Sequence, residues 1–162
     1  MPTDEERALA LLGRCAYGRV AASLRALPFL ATARHVVTDG RLLLRLHGGH
    51  GYHRACAGQV VAYGADGRCG GVDGPGGGPG GAAGRNGPGG ARAAGAAGQW
   101  SVQVVGVCAA IEPTPAERDL FGPPPDLVDG EPYEPVYLCV IPQLVTVHIT
   151  GDGPPRHFEH TM

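Results

Sequence analysis

The sequence predicts a mainly β protein: a β-barrel of six or seven antiparallel strands with two or three short helices. Three observations lead to this fold class. Short runs rich in Val, Leu and Ile recur along the chain, with turn-forming residues between them. Signals for the start of a helix precede only brief apolar segments, at Thr3 and Thr114. The length of 162 residues suits one domain, which we expect to span residues 1–150.

The first half of the chain predicts a helix and then a meander of strands. Thr3 caps a short amphipathic helix that ends at Gly13. Residues 20–24 and 29–37 have the β-branched and apolar composition of strands, and we place a turn near Leu27-Pro28 between them. Asp39-Gly40 predicts a tight hairpin that leads into a third strand at residues 41–46.

The second half predicts further strands around a long insertion. Residues 53–58 could form one or two helical turns, and residues 59–63 read as a strand. Residues 64–98 are dominated by Gly, Ala and Pro, and such a segment cannot bury enough apolar surface to fold, so we predict a disordered insertion. A long strand is predicted at residues 100–111, with a bulge at Gly106, and a helix at residues 114–121. Two closing strands, at residues 136–141 and 144–149, are separated by Pro142-Gln143, and residues 151–162 are predicted to be a flexible tail.

Composition limits the partners and the chemistry. With 43% hydrophobic residues and a formal net charge of −2, the chain lacks the basic excess of a nucleic-acid-binding protein. All thirteen basic residues are arginines, which excludes Schiff-base chemistry and a lysine phosphate anchor. Its five cysteines show no C-x-x-C spacing and read as reduced thiols. The acidic N-terminus and a short apolar run at residues 8–12 indicate neither a signal peptide nor a membrane span, so we expect a cytoplasmic protein.

Protein side chains alone do not suggest a catalytic centre. Ser23 and Ser101 are the only serines, and neither lies in a G-x-S-x-G elbow. No two carboxylates are placed as a glycosidase or an aspartic protease requires. We therefore expect a bound cofactor to supply any catalysis, and we name no catalytic residue.

The stretch LRLHGGHGYHR, residues 44–54, is the strongest candidate for a binding site, and it allows three interpretations. His47, His50 and His53 could ligate a metal or haem iron, although three glycines disfavour the helix that would align them. Arg45, the glycine N–H groups and a following helix could instead bind a phosphate. The third interpretation is a solvated connection between a strand and a helix.

Several segments over residues 8–64 and 99–150 form an ordered set of motifs. The most specific is Gln99-Trp100-Ser101-Val102-Gln103. The others are Tyr17-Gly18-Arg19-Val20-Ala21, Pro28-Phe29-Leu30, Val36-Val37-Thr38-Asp39-Gly40, Leu43-Leu44-Arg45 and the closing segment at residues 136–146. Taken in order, they resemble the pyridoxamine 5′-phosphate oxidase-like family of flavin-binding split β-barrels, in which the most specific segment is similar to a Gly-Trp-Ser-Val strand.

The resemblance implies a homodimer with two flavin mononucleotide (FMN) sites at the subunit interface. It assigns Arg45 to the cofactor phosphate, and Trp100, Ser101 and Gln103 to the isoalloxazine side. Two phosphate-binding positions of the family are altered, to Leu46 and Gly51, so His50, His53, Arg34 or Arg54 would have to replace them. From the residues alone, Arg45 could equally form a surface ion pair, and Trp100 fits the barrel core or the dimer interface better than a direct flavin contact.

The expected function is that of an FMN-dependent oxidoreductase that passes a hydride to or from a small-molecule substrate. One alternative is a non-catalytic split-barrel dimer that binds another ligand or a partner protein. Another is a variant that binds haem or the deazaflavin F420. Oxidation of pyridoxamine 5′-phosphate itself is not expected, because residues 144–150 offer no basic cluster for a substrate phosphate.

Overall fold

The computed structural model describes residues 1–68 and 98–151, and most of them are strands or short helices. No helix within these two ranges is long and apolar enough to cross a membrane. The helices are α1 (Asp4–Leu12), α2 (Tyr52–Cys56) and α3 (Pro115–Phe121), and the strands are β1 (Tyr17–Leu24), β2 (Leu27–Thr38), β3 (Arg41–His47), β4 (Val60–Arg68), β5 (Gln99–Ala110), β6 (Leu127–Val128), β7 (Glu131–Pro132) and β8 (Pro135–Thr150).

Six of the strands form a closed antiparallel barrel in the order β1-β2-β3-β8-β5-β4, which confirms the predicted fold class. Strands β6 and β7 form a separate two-stranded ribbon between α3 and β8. Closure leaves the barrel with one interior and one outer face, and side chains alternate between them along each strand.

The first helix begins as the sequence predicts. The Thr3 hydroxyl accepts a hydrogen bond from the Glu6 N–H, and the Glu6 carboxylate accepts one from the Thr3 N–H, which completes a capping box. Ala8 and Leu12 are fully buried in the barrel core, so α1 covers one opening of the barrel.

The two hairpin turns differ from each other. Asp39 and Gly40 both have positive φ and join β2 to β3, as predicted. The turn between β1 and β2 was predicted near Leu27-Pro28 but lies at Arg25-Ala26, with φ of 50° and 65°. Pro28 instead pairs with Ser23 inside the ladder. Neither Arg nor Ala favours positive φ, so no residue type marks a turn there.

The predicted break at Pro142-Gln143 is wrong, because β8 runs through it as one strand. The register with β5 shifts between Val105 and Gly106, and Gln143 is the extra residue of a β-bulge. A Cβ at Gly106 would overlap the carbonyl oxygen of Ile141, which explains why this position is glycine. The bulge predicted at Gly106 is therefore confirmed, and Pro142 is accommodated beside it.

The predicted start of the insertion at Gly64 is wrong. Gly64 to Arg68 continue β4, and each pairs with a residue of β5, ending at Arg68 opposite Gln99. The rest of the predicted disordered insertion, residues 69–97, and the predicted tail from residue 152 lie outside the described residues.

The core has two parts, one inside the barrel and one on its outer face. The interior includes Trp100 and Tyr63 among its largest buried side chains. A smaller cluster lies on the outer face, where Phe121 of α3 packs over Leu43 and Cys139. Helix α3 is attached there by the Arg41–Glu117 ion pair at 3.3 Å. This second cluster positions the side chains described below.

A hydrogen-bonded group inside the barrel, which we call the His35 network, joins β2, β4 and the end of α1. The ring of His35 is 2% exposed, with Nε2 2.7 Å from the Leu12 carbonyl oxygen and Nδ1 2.5 Å from the Tyr63 hydroxyl. Because a carbonyl only accepts, Nε2 carries the proton, and Nδ1 accepts from Tyr63. The Cys15 sulfur lies 3.8 Å from Nε2. Burial lowers the pKa of His35, so its ring is neutral at pH 7.

Candidate cofactor site

A cleft of about 480 Å³ opens where the ends of β5 and β8 meet α2 and α3, and we call it the His53 cleft. This volume lies within the usual range for small-molecule sites. The apolar part of its wall is built by Ala110, Ile111, Val136 and Leu138, and the polar part by His53, Glu112, Arg118 and Tyr137. The combination of an apolar wall with a few polar groups suits a planar, partly polar ligand.

His53 is the polar residue that distinguishes this cleft. Its Nδ1 is buried and has no hydrogen-bond partner within the described chain. Burial, and secondarily the charge of Arg54, lowers the pKa of His53, so the ring is neutral at pH 7. A buried polar nitrogen without a partner is unfavourable unless a ligand satisfies it.

Arg118 and Glu112 form the mouth of the cleft. The Arg118 guanidinium donates to the Glu112 carboxylate at 3.0 Å, and both side chains are largely exposed. An exposed ion pair of this kind contributes little to stability and can exchange partners. Arg118 could therefore donate to a bound anion at the cleft mouth.

The glycine-rich loop brings two of the three predicted histidines together but not the third. A 3₁₀ turn over Gly48–His50 precedes α2, and Gly51, with φ of 76°, separates the two. The rings of His47 and His50 meet edge to face at 4.9 Å. His47 Nδ1 accepts from the Glu134 N–H, and His50 lies 3.5 Å from the Asp129 carboxylate. Residues 1–68 and 98–151 contain no group of three ligands arranged for a metal ion, so the metal interpretation of these histidines has no support there.

Arg45 points to the outer face of the barrel and is covered there by protein. It is 3% exposed and donates to the Gly122 carbonyl oxygen at 2.8 Å, with its guanidinium 5.4 Å from the Phe121 ring centre. Its Nε is buried and has no partner among the described residues. The predicted alternative of a surface ion pair is therefore wrong for Arg45. Its predicted role in binding phosphate remains a prediction.

Arg34 lies directly beside Arg45, because the two residues pair across β2 and β3. The Arg34 guanidinium donates to the carbonyl oxygens of Ala16 and His35. In the described ranges neither arginine forms an ion pair with a carboxylate, so this arginine pair carries two positive charges without a counter-ion. Burial raises the pKa of the nearby Tyr133, against the positive charge of Arg45.

Tyr137 connects the arginine pair with the His53 cleft. It pairs with Arg45 across β3 and β8, and it also lines the cleft. Its ring packs on Phe121 with the ring centres 5.4 Å apart. Tyr137 is therefore the strand neighbour of Arg45 and shares the cleft lining with His53, the two residues that carry a buried nitrogen without a partner among the described residues.

The three residues predicted for the isoalloxazine side lie elsewhere in the chain. Trp100 is 2% exposed and belongs to the barrel interior, which is the core alternative weighed from the sequence. Ser101 and Gln103 are exposed on the outer face of β5. Gln103 is seven residues from Ala110, roughly 23 Å along the strand. Within one chain, Gln103 and the His53 cleft cannot both contact the same ring system.

Sequence reasoning missed Arg118, Tyr137 and the cover over Arg45. Each depends on α3 folding back onto the outer face, a contact between segments about 75 residues apart along the chain. Thr114 and Glu117 form the capping box of α3 by reciprocal hydrogen bonds. These residues predicted the helix, but they gave no indication that the helix contributes to a binding site.

No protein-family model matches the chain, and no curated protein does. Solved structures do match. The FAD binding protein from Mycobacterium smegmatis aligns with a TM-score of 0.57 and 18% identity, over 89% of this chain and 94% of that one. The "putative pyridoxamine 5′-phosphate oxidase" from Corynebacterium glutamicum aligns with a TM-score of 0.59 and 17% identity, over 95% and 94%.

The chain has the split β-barrel fold. A heme binding protein from Mycobacterium smegmatis shares it, with a TM-score of 0.56 and 14% identity over 93% of this chain and 59% of that one. Identities this low establish the architecture and nothing finer. The split barrel predicted from the sequence is thus confirmed.

Proposed function

We propose that the protein is a flavin-binding oxidoreductase that holds flavin mononucleotide with its ring in the His53 cleft and its phosphate towards the arginine pair. The observation that carries this proposal is that two buried nitrogens, His53 Nδ1 and Arg45 Nε, have no partner among the described residues, while Tyr137 both pairs with Arg45 across β3 and β8 and lines the His53 cleft. Similar solved structures include FAD-binding proteins, which supports a flavin.

The residues of the cleft fit such a cofactor. A bound flavin would supply hydride transfer to or from a small-molecule substrate. His53, neutral at pH 7, would hydrogen-bond a polar edge of the ring through Nδ1. Ile111 and Leu138 would exclude water from the ring, and Arg118 would hold an anionic group at the mouth. No residue of the described cleft is assigned a proton-transfer role.

Haem is the second candidate, and the same imidazole favours it. A neutral histidine nitrogen without a hydrogen-bond partner could ligate a haem iron. The similar structures include a heme binding protein and the flavocytochrome Anf3 from Azotobacter vinelandii. The iron would need a lone pair on Nδ1, whereas a flavin, whose edge carries both donors and acceptors, could pair with either tautomer of His53.

We further propose that the working form is a homodimer. Val60, Val107, Ile141 and Leu144 are all more than 40% exposed and lie on one outer face, where β4, β5 and β8 pair. An apolar patch on a sheet surface is typical of a protein interface. In a dimer, Ser101 and Gln103 of one copy could reach the cleft of the other, which a single chain does not allow. The predicted cytoplasmic location belongs to this proposal as well.

Absorption spectroscopy of the purified protein tests the cofactor proposal directly. A flavin absorbs near 450 nm and a haem gives a Soret band, both being general properties of these cofactors. Titration with FMN, FAD and haem should show saturable binding of one of them that weakens at least tenfold in His53→Ala. Arg25→Ala, which changes an exposed residue at the β1–β2 turn, is the control. A folded protein that binds none of the three would overturn the proposal and leave a non-catalytic barrel.

Sedimentation equilibrium tests the homodimer. The double variant Val107→Asp/Ile141→Asp places two charges on the apolar patch and should dissociate the dimer. Leu27→Asp changes an equally exposed apolar residue beside the β1–β2 turn and should not. A wild-type protein that is monomeric at tens of micromolar would contradict this part of the proposal.

A further inference from the structure

The segment Phe121-Gly122 lies over Arg45 and occupies the positions that a ligand of Arg45 would take. The Phe121 ring stacks on the guanidinium, and the Gly122 carbonyl oxygen accepts from its Nη1 at 2.8 Å. A carbonyl oxygen carries only a partial negative charge, so it neutralises a guanidinium much less than a carboxylate or a phosphate does.

The charge beneath this cover is not compensated. Burying a guanidinium without a counter-ion is unfavourable, because no opposite charge offsets its desolvation. Arg34 adds a second positive charge from the neighbouring strand, and like charges directly opposite on a sheet destabilise it. Both features become favourable once a multiply charged oxyanion lies between the two arginines.

Gly122 is the backbone position at which the cover can change conformation. Its φ of 70° and ψ of −177° fall in a region that only glycine adopts without strain. This conformation aims the carbonyl of the peptide at Arg45. The beginning of α3 is held separately, by the Arg41–Glu117 ion pair and by the capping box at Thr114. The end of α3 is held by the packing of Phe121 on Leu43 and Cys139, so the Gly122 carbonyl can be displaced by rotation at Gly122 while α3 stays attached.

We infer that Phe121-Gly122 is a cover over an oxyanion site formed by Arg45 and Arg34, which a phosphate group opens by displacing the Gly122 carbonyl. This inference rests on the proposed function, because the phosphate would be that of the proposed cofactor. In the free protein the cover lies over Arg45, and binding of the phosphate displaces it. The phosphate replaces a neutral acceptor with a charged one and pairs the orphaned Nε.

Chemical labelling of arginine reports the cover without requiring the cofactor. Phenylglyoxal, an arginine-selective reagent, would be applied to the full chain, and modification of each arginine followed by mass spectrometry of chymotryptic peptides. Arg25 is exposed at the β1–β2 turn and provides the internal reference. In the wild-type protein we expect Arg45 to react at least tenfold more slowly than Arg25.

Two variants open the cover in different ways. In Gly122→Ala the added Cβ disfavours the conformation that aims the carbonyl at Arg45, and in Phe121→Ala the ring is removed. Either variant should raise the rate of Arg45 modification at least fivefold, and 10 mM inorganic phosphate should lower it again. Using both keeps the test informative if one variant does not fold, as judged by circular dichroism.

The outcomes separate this inference from the proposed cofactor. Arg45 that reacts as fast as Arg25 in the wild type would show that no cover exists. Arg45 that stays unreactive in the folded variants, or that phosphate fails to protect, would overturn the inference equally. If labelling and protection behave as expected but no flavin binds in the spectroscopic titration, the covered oxyanion site stands and the proposed cofactor does not.

Discussion

Two sets of buried polar groups in this barrel differ in whether they have hydrogen-bond partners. In the His35 network both ring nitrogens of the histidine have partners within 2.7 Å. By contrast, Arg45 Nε on the outer face and His53 Nδ1 on α2 are buried without any partner in the described chain. A fully partnered polar group stabilises and specifies the core, whereas an orphaned one lowers stability unless something else binds it. The difference separates a structural histidine from candidate binding residues.

The largest expected effect comes from breaking the His35 network. His35→Ala removes a buried ring and leaves the Tyr63 hydroxyl and the Leu12 carbonyl unsatisfied, so the free energy of unfolding should fall by about 3 kcal/mol. Chemical denaturation measures it. His53→Ala removes a ring whose Nδ1 has no partner and should change the same quantity by less than about 1 kcal/mol. Equal losses in the two variants would remove the distinction drawn here.

The next largest loss of stability is expected at Gly18, which packs against Tyr63 of the His35 network. A Cβ at Gly18 would overlap the Tyr63 hydroxyl and lie 2.6 Å from the Gly64 carbonyl oxygen, which belongs to the backbone and cannot move aside easily. Gly18→Ala should therefore cost about 2 kcal/mol. At Gly51, next to His50, a Cβ meets open space, and only the positive φ opposes it. Gly51→Ala should cost about 1 kcal/mol. Thermal unfolding of both variants at one pH gives the comparison.

Mild acid should destabilise the network as well. The pKa of His35 is lowered from its usual value of 6.5 mainly by burial, so below pH 6.5 the unfolded chain takes up a proton that the folded chain resists. The free energy of unfolding should therefore decrease as pH falls from 6.5 towards 5, by at most about 1.4 kcal/mol per pH unit for one group. Denaturation of His35→Gln across the same range should show a shallower slope. An unchanged slope would mean that other groups control it.

The smallest effect on stability is expected for substitution of Arg45. This variant best separates a binding residue from a structural one, because stability and cofactor binding should respond differently. Arg45→Met keeps much of the side-chain volume and removes an uncompensated buried charge, so stability should stay within about 1 kcal/mol of the wild type or rise. Binding of FMN, by contrast, should weaken by about one to two decades because a charge-assisted contact is lost. Denaturation and cofactor titration of the same preparation check both halves. A large loss of stability would make Arg45 a structural residue.

Local sequence patterns predicted the barrel well because they act over short distances. Asp39-Gly40 supports the positive φ that its hairpin turn requires, and Gly106 is the residue that a bulge at that point needs. The errors arose where pairing between strands overrides local preference. Strand β8 continues through Pro142 because the bulge accommodates it, and Gly64 to Arg68 are ordered by pairing with β5.

The candidate site was only partly predictable for a similar reason. Arg45 and His53 stand out because of their residue types and the glycines around them. Their burial depends on Phe121 and on the ends of β5 and β8, which the sequence does not place near them. The His35 network was missed entirely, since a histidine in an apolar strand gives no indication that Tyr63 lies opposite.

The pairing of Arg68 with Gln99 has a consequence for how this chain tolerates changes in length. Both ends of the intervening segment are fixed by the barrel at neighbouring positions. The entropy of closing a flexible loop grows only with the logarithm of its length, at about 0.6 kcal/mol for each doubling. A flexible insertion placed between these two ends therefore changes the folding free energy little, while the two strand ends stay in register. The pairing of Arg68 with Gln99 thus marks a position at which the barrel tolerates added sequence.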